Sequence, residues 1–177
     1  MGGYDPHFWL DPIRLAALAQ PVADALSAIS PEHSEYFQHN AADLIDQLTL
    51  LDAEFAEALA PFAGATLITN HTAFGYLAYR YDLHQVGITG LDHEIEPSPA
   101  RLREIADIAQ RYTVTTLFYE TLVSPALVHT LASDLGLDVA LLDTLEGLNP
   151  AQTQADDDYI SVMRRNLETL VHGLTLP

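Results

Sequence analysis

Cysteine is absent from this chain of 177 residues. Three kinds of site that depend on a thiol are therefore excluded: a disulfide-stapled scaffold, a zinc site built from thiolates, and a cysteine nucleophile. Because proteins without cysteine occur in reducing and oxidising compartments alike, this absence does not place the protein inside or outside the cell.

Basic residues are also scarce. Lysine and arginine together number 7 against 25 acidic residues, which gives a formal charge of −18. Nucleic-acid phosphates and anionic membrane surfaces both need clustered basic side chains, so the composition argues against a nucleic-acid partner and against membrane adsorption. An acidic surface does suit a protein that attracts cations, although most acidic proteins are simply soluble.

Long apolar runs are missing as well. No run reaches the roughly 18–20 residues that span a bilayer, and no signal peptide opens the chain. The start, Met1-Gly2-Gly3-Tyr4, leads almost at once into a patterned segment, so we expect a truncation or an engineered boundary there. Hydrophobic residues make up 49% of the chain, which is enough for the core of one domain, or of one domain plus a fragment.

The first third of the sequence predicts two helices. Apolar residues recur at helical spacing over 12–29, where Pro12 suits the first turn and Pro21 is expected to kink or divide the helix. Ser30-Pro31 then predicts the start of a second helix that continues to residue 60 without glycine or proline. At 1.5 Å per residue this helix is about 45 Å long, so we expect it to connect two bodies.

After Pro61 short apolar runs alternate with helical patterns. The runs are 65–69, 83–88, 115–119 and 137–142, and the helical patterns lie near 73–82, 98–112, 124–135 and 157–172. Four successive strand–helix units predict an α/β fold, a single (β/α)4 lobe with a parallel sheet covered by helices. Ligands of such sheets bind beyond the carboxyl ends of the strands, which are followed here by Asn70-His71, the loop 89–97, Glu120 and Asp143.

Three residues are candidate metal ligands. His71 and Asp143 each follow a predicted strand, and His7 stands in an aromatic context, His7-Phe8-Trp9. Imidazole nitrogen and carboxylate oxygen without sulfur suit Zn²⁺ or a similar divalent ion. A lone histidine or aspartate at a strand end is more often a cap or a hydrogen-bonded core residue, so spacing alone leaves both interpretations open.

Five motifs strengthen the metal interpretation. They are DPHFWLDP, TNHTAFGYLAYRY, EIEPSP, LFYETLVSP and DDDYISVMRRNL, in this order. Together they resemble the metal-binding solute-binding proteins of zinc and manganese ABC importers, the ZnuA/TroA-like group, over nearly the whole chain. The resemblance implies two (β/α)4 lobes joined by one long helix, with the metal held in the cleft between them. Residues 1–30 then correspond to a remnant of the N-terminal lobe (a strand plus a helix), 31–60 to the connecting helix and 61–177 to the C-terminal lobe.

The same resemblance assigns His7, His71 and Asp143 as ligands. A further family histidine comes from an earlier strand that this chain does not contain, and the His-rich acidic loop of zinc members is absent too. Manganese members tend to carry glutamate where His71 stands, which favours Zn²⁺ and keeps Mn²⁺ as the alternative. Glu120 is expected either to orient a ligating histidine or to serve as a cap or salt-bridge carboxylate.

The function implied is capture of Zn²⁺ outside the cytoplasm and its delivery to an ABC importer permease, by a binding protein that is not an enzyme. The full-length protein would lie in the periplasm or be lipid-anchored at the cell surface, with signal and anchor absent from this chain. Two alternatives remain: a metal-independent adhesion module, and a zinc hydrolase with three protein ligands and an open water position. No HExxH or GxSxG motif supports the hydrolase.

Other polar clusters have simpler explanations. His93 and Glu94 are adjacent, and adjacent residues rarely coordinate one ion together. His39 and Asp43 form an i, i+4 pair that predicts a surface contact. The acidic run 156–158 lacks the glycine and terminal glutamate of an EF-hand loop and precedes a helix, so helix capping is expected.

Missing partner strands also predict self-association. In the family, residues 1–12 would form a buried strand, so Tyr4, Phe8, Trp9 and Leu10, with one face of helix 12–29, are expected to face water here. Exposed apolar patches and unpaired strand edges favour pairing, which predicts a homodimer, with exchange of the N-terminal segment as one route. The alternative is a frayed N-terminus on a monomeric lobe.

Overall fold

The computed structural model describes residues 4–91, 96–120 and 124–177. The helices, listed in chain order, are α1 (Pro12–Ile29), α2 (Ser34–Leu59), α3 (Gly75–Arg80), α4 (Pro99–Arg111), α5 (Ala126–Leu135), α6 (Pro150–Gln154) and α7 (Tyr159–Gly173). The strands are β1 (Thr66–Thr69), β2 (His84–Gly87), β3 (Thr116–Tyr119) and β4 (Asp138–Leu141). Short 3₁₀ turns precede α1 and α2 and follow α2. Within the described residues no helix is both long and apolar enough to cross a membrane.

The four strands form one parallel sheet in the order β2-β1-β3-β4. This confirms the predicted α/β class with a parallel sheet, and each strand lies inside its predicted run. Strand β2 lies on one side of β1, and β3 and β4 lie on the other, so the strand order reverses between β1 and β3. The crevice at the carboxyl ends of β1 and β3 is therefore the expected ligand position in such a sheet.

Helices cover both faces of the sheet because successive strand residues point to opposite sides. Leu67 and Phe118 pack into a core shared with α2, α3 and α7, whereas Ile68 and Leu117 pack into a second core with α4 and α5. Leucine and isoleucine at adjacent strand positions thus serve two separate cores. This double coverage explains why the central strands β1 and β3 are buried at nearly every position instead of at alternate ones.

Helix ends are defined by the side chains that the sequence places there. Asp11 caps α1 by accepting hydrogen bonds from the amides of Ile13 and Arg14. Asp158 caps α7 in a reciprocal capping box with Ser161, which confirms a capping role for the acidic run. Gly136 ends α5 with a φ of 69°, a backbone conformation that glycine adopts without steric cost.

A division of the first helix at Pro21, one of the two effects expected of that proline, is wrong, and so is the predicted start of the second helix. Pro21 does not divide α1, which continues from residue 12 to residue 29. The second helix starts later than predicted, because residues 31–33 form a 3₁₀ turn and α2 begins at Ser34. Because Pro31 has no backbone N–H to donate, it suits both a 3₁₀ turn and the first turn of an α-helix. The pattern of apolar residues did not distinguish between these two structures.

The strand predicted in the N-terminal segment is also wrong. Within the described residues 4–12 there is no strand; residues 8–10 form a 3₁₀ turn, Pro12 begins α1 and the others are irregular. Two prolines, Pro6 and Pro12, carry no backbone N–H for a strand ladder, and Asp5 bonds the amide of His7 at 3.0 Å.

This segment packs on its own chain instead of facing water. Leu10 is fully buried in the core beneath α2 and α3, whereas Tyr4 is fully exposed. The indole of Trp9 donates to the carbonyl of Thr144 at 2.8 Å, and the hydroxyl of Tyr159 donates to the carbonyl of Trp9 at 2.7 Å. The predicted exposure of Leu10 is therefore wrong, since residues of α2 and α3 cover it within this chain.

Candidate metal centre

The carboxyl edge of the sheet gathers most of the predicted site residues. His71 follows β1, Glu120 follows β3 and Asp143 follows β4, and each is at most 4% exposed. His7, from the segment before α1, joins them with 3% exposure. Buried titratable groups need partners, so the contacts of each decide its role.

His71 is held by a carboxylate from the neighbouring central strand. Glu120 accepts a hydrogen bond from the amide of His71 at 3.0 Å through Oε1, and its Oε2 pairs with Nδ1 of the imidazole. The loop after β1, which carries His71 and Thr72, can approach β2 closely because Gly87 has no side chain. A Cβ at Gly87 would collide with Thr72. Glu120 thus orients His71, one of the two roles expected for it.

His7 is arranged in the same way by a residue of its own segment. Its Nδ1 lies 2.7 Å from Oδ1 of Asp5, and its ring meets Trp9 edge-on at 5.4 Å between ring centres. In both histidines a carboxylate faces Nδ1, which favours the proton on that nitrogen and leaves Nε2 as the candidate metal-binding atom. Asp5 was not predicted, although the Asp-x-His spacing in the first motif carries the signal.

The two imidazoles converge. Nε2 of His7 lies 3.4 Å from Nε2 of His71, and 3.6 Å from Oε1 of Glu146. Ligand atoms of His7, His71 and Glu146 all lie within 4.8 Å of one another. Two ligands about 2.0–2.2 Å from a tetrahedral ion are separated by roughly 3.3–3.6 Å, so the two spacings measured from His7 match those around a single zinc ion.

Asp143 does not join this group. Its Oδ1 accepts from the amide of Leu145 at 2.8 Å and its Oδ2 accepts from the side chain of Gln152 at 2.7 Å. Among the described residues the carboxylate that groups with both histidines as a potential metal ligand is that of Glu146, three positions further along the chain. The sequence analysis placed the acidic ligand of this loop at Asp143 and did not identify Glu146, whose signal was its place three positions after that strand-end aspartate.

Electrostatics at the centre favour a positive charge. Burial of the His71 ring by itself disfavours the imidazolium form, but the hydrogen bond and the charge of Glu120, with the charges of Glu146 and Asp5, outweigh it and raise the pKa of His71. Three carboxylates around two imidazoles therefore attract a cation, which is a proton at low pH and a metal ion when one is available.

The remaining candidates lie elsewhere. His39 and Asp43 form an exposed pair with 3.3 Å between Nε2 and Oδ2, as expected for a surface contact. His93 and Glu94 lie outside the described residues. Within the described ranges, the group of His7, His71 and Glu146 is the one assembly of three or more potential metal ligands.

Comparison with known proteins agrees with this geometry. The family described as zinc-uptake complex component A, periplasmic (ZnuA) matches residues 2–173. The chain belongs to the ZnuA family. The zinc-binding lipoprotein AdcA of Streptococcus pneumoniae is 40% identical over 167 residues, which are 94% of this chain and 33% of AdcA. The chain therefore spans about a third of this curated relative.

Solved structures of similar proteins carry the same fold. The laminin-binding protein Lbp of Streptococcus pyogenes matches with a TM-score of 0.89 and 35% identity, over 97% of this chain and 66% of Lbp. The zinc-bound ZnuA-like domain of S. pneumoniae AdcA matches with a TM-score of 0.81 and 39% identity, over 96% of this chain and 64% of that one. The likeness to ZnuA-family structures thus extends over nearly all of this chain.

Proposed function

We propose that this ZnuA-family chain captures Zn²⁺ as cargo through His7, His71 and Glu146. The observation that carries the proposal is the convergence of two imidazole Nε2 atoms and one carboxylate within 4.8 Å of one another, with a second carboxylate behind each imidazole. Carboxylates behind ligating histidines fix the tautomer and raise ligand basicity, an arrangement typical of zinc sites.

Zinc is favoured over manganese by the donor set. Two nitrogen donors and one oxygen donor suit Zn²⁺, whereas Mn²⁺ prefers a set dominated by carboxylates, carbonyls and water. Three protein ligands leave a fourth position for water, for a neighbouring chain or for a part of a longer protein. We therefore expect zinc to bind less tightly here than in a family member with one more histidine.

The wider role follows from family membership. We propose delivery of the ion to an ABC importer permease, outside the cytoplasm, because the family is described as a periplasmic component of a zinc-uptake complex. The division into 1–30, 31–60 and 61–177 belongs to the same proposal. It is supported by the long helix α2, which follows α1 and precedes the sheet.

A hydrolase is the less favoured interpretation. The centre has three protein ligands, as catalytic zinc sites do, but a hydrolase also needs a base beside the metal-bound water. Glu120, a buried carboxylate at the centre, directs both of its oxygens to His71. We therefore propose a binding protein without enzymatic activity.

An adhesion role is the second alternative, favoured by the likeness to a laminin-binding protein. Metal capture and adhesion differ in what they require of the buried centre. A purely adhesive module would bind laminin equally well whether His71 is present or replaced, and would show no stoichiometric zinc binding.

Isothermal titration of the metal-free chain tests zinc capture. We expect one Zn²⁺ per chain, tighter than Mn²⁺, and a loss of at least roughly 10–100-fold for His71→Ala or His7→Ala. His39→Ala is the matched control, since the His39 side chain is 72% exposed and, among the described residues, belongs to no group of three potential metal ligands. Zinc binding that survives both His71→Ala and His7→Ala in folded protein would refute the assignment.

We also propose that the chain forms a homodimer, through α1 and not through the N-terminal segment. Leu18, Val22, Leu26 and Ile29 remain exposed along α1 beside Leu44 of α2. The groove between the two helices is lined almost entirely by apolar side chains and carries no charged residue. Two copies can therefore meet at this face without placing like charges in contact, despite the net charge of −18.

A further inference from the structure

The turn between β4 and α6 is built around Asp143. Both of its carboxylate oxygens accept hydrogen bonds: Oδ1 from the amide of Leu145 in the turn at 2.8 Å and Oδ2 from the side chain of Gln152 in α6 at 2.7 Å. The residue is only 4% exposed, so these contacts replace water. Asp143 is thus turned toward its own loop.

Asn166 of α7 fixes Asp143 from the other side. The amide of Asp143 donates to Oδ1 of Asn166, and its carbonyl accepts from Nδ2 of Asn166, both at 2.8 Å. Asn166 is 2% exposed, and it forms with residue 143 the pair of bonds that a neighbouring strand would otherwise supply. The turn is therefore anchored to α7 at its first residue.

The turn requires this anchoring because its backbone is strained. Leu145 adopts a φ of 53°, in the left-handed region that is unfavourable for any residue with a Cβ. Such a conformation persists when surrounding contacts over-determine it, here chiefly the bond from the Leu145 amide to Asp143. Trp9 adds a bond to the carbonyl of Thr144.

This strained reversal determines where Glu146 points. The hydroxyl of Thr144 donates to Oε2 of Glu146 at 2.9 Å, while Oε1 lies 3.6 Å from Nε2 of His7. If the turn relaxed, the carboxylate would leave the two imidazoles, because Glu146 itself is a partly exposed side chain in the loop.

We propose that Asp143 is a positioning residue that sets zinc affinity without touching the metal, by holding the strained turn that presents Glu146. The inference rests on the proposed zinc capture. It assigns to Asp143 a role different from direct coordination, and the two roles predict different outcomes when the hydrogen-bond partners are exchanged.

Asp143→Asn is the first variant. The new amide keeps an oxygen for Leu145 but turns an NH₂ group toward the NH₂ group of Gln152. Rotating the Gln152 amide does not help, because its Oε1 already accepts from the amide of Asn149 at 2.8 Å. One donor is unsatisfied in either orientation, so we expect zinc affinity to fall roughly 10–100-fold, as for other residues behind metal ligands.

Adding Gln152→Glu reverses the roles. The introduced carboxylate accepts from the new amide at position 143 and from the amide of Asn149, with the net charge unchanged. A positioning residue is rescued by this exchange, so the double variant should bind zinc within about 3-fold of wild type, well inside the 10–100-fold loss of the single variant. A direct ligand is not rescued, because a neutral amide replaces a coordinating carboxylate.

The experiment measures Zn²⁺ affinity by competition with a chromophoric chelator, and the absorption spectrum of the Co²⁺-substituted protein. The Co²⁺ spectrum of Asp143→Asn should lose the contribution of the Glu146 carboxylate and keep the contributions of the two imidazoles. General destabilisation does not produce this change. In a protein that already carries Glu146→Gln, adding Asp143→Asn should lower the zinc affinity only slightly further, since the two residues act through one ligand. If Asp143→Asn does not fold, Gln152→Leu removes the same hydrogen bond and should give the same loss.

The outcomes separate the two claims. Wild type that does not bind zinc, or loses nothing on His71→Ala, overturns zinc capture and this inference with it. Wild type that depends on His71, with Asp143→Asn equal to it in affinity and spectrum, overturns only the positioning role. A folded double variant as weak as Asp143→Asn also overturns it and makes Asp143 a ligand.

Discussion

Glu120 shows how one buried carboxylate controls a metal ligand. Replacing it with glutamine keeps the size and one acceptor for the His71 amide, but presents an NH₂ group to Nδ1 and favours the tautomer with the proton on Nε2. We expect Glu120→Gln to weaken zinc binding roughly 10–100-fold at about pH 8. We also expect the loss of affinity on acidification to move to lower pH, because burial then dominates and lowers the pKa of His71. Competition titrations from about pH 6 to about pH 8.5, across the ordinary histidine range, measure both effects.

The unfolding free energy of the metal-free protein gives an independent check on the role of Glu120. Its pH dependence has the opposite sign to that of zinc binding, because protonation of His71 stabilises the metal-free protein and opposes coordination. The pKa of His71 is raised in the folded state, so the protonated ring contributes stability that is fully present below about pH 6.5 and is lost as pH rises through the raised value. The difference in unfolding free energy between wild type and Glu120→Gln should therefore shrink with rising pH. A difference that grows with pH would contradict the role of Glu120.

At the scale of elements, α2 is tied to α3 by an ion pair beside the core. The guanidinium of Arg80 binds both carboxylate oxygens of Asp52, with 2.8 Å from Nη2 to Oδ2, and the hydroxyl of Tyr81 donates to Asp52 at 3.0 Å. The hydrogen bond from Arg80 holds the pKa of Asp52 below its usual range despite partial burial. This contact fixes the long helix to the lobe that carries His71.

Asp52→Asn should therefore lower the free energy of unfolding by about 1–3 kcal/mol at neutral pH, because a charged hydrogen-bond partner is lost. Because the pKa of Asp52 is depressed in the folded protein, its charge contributes stability at pH above the unfolded pKa of about 3.9, and this stability is lost as pH falls through the folded pKa. The difference in unfolding free energy between wild type and Asp52→Asn should therefore vanish in acid. Urea unfolding at pH near 7 and near 3 measures it, with Asp43→Asn, 56% exposed on the same helix, as control. An equal effect at both pH values would argue against the ion pair.

At the scale of the whole molecule, the apolar face of α1 predicts concentration-dependent association. Val22 and Ile29 are 55% and 81% exposed, and a glutamate at either position would place a charge in the proposed contact. We expect light scattering to show a mass that rises toward a dimer for wild type and stays monomeric for Val22→Glu/Ile29→Glu. Leu50→Glu, 57% exposed on α2 and outside the groove, should behave as wild type. A monomer at all concentrations would contradict the dimer.

Local chemistry in the sequence determined the elements and the histidines. Apolar runs followed by helical patterns defined the four strands, and the position directly after a strand placed His71 and Glu120 at the ligand edge. These features depend on a few neighbouring residues, so they are visible in one dimension. The motif around His7 pointed to a ligand even though its predicted strand is a 3₁₀ turn.

Only the tertiary structure decided between Asp143 and Glu146. Both carboxylates lie in one loop, and which of them meets the imidazoles depends on the left-handed backbone of Leu145 and on bonds from Gln152 and Asn166. The burial of Leu10 was decided in the same way, by residues more than thirty positions away. Such contacts arise from the packing of distant elements, and no local pattern of residues encodes them.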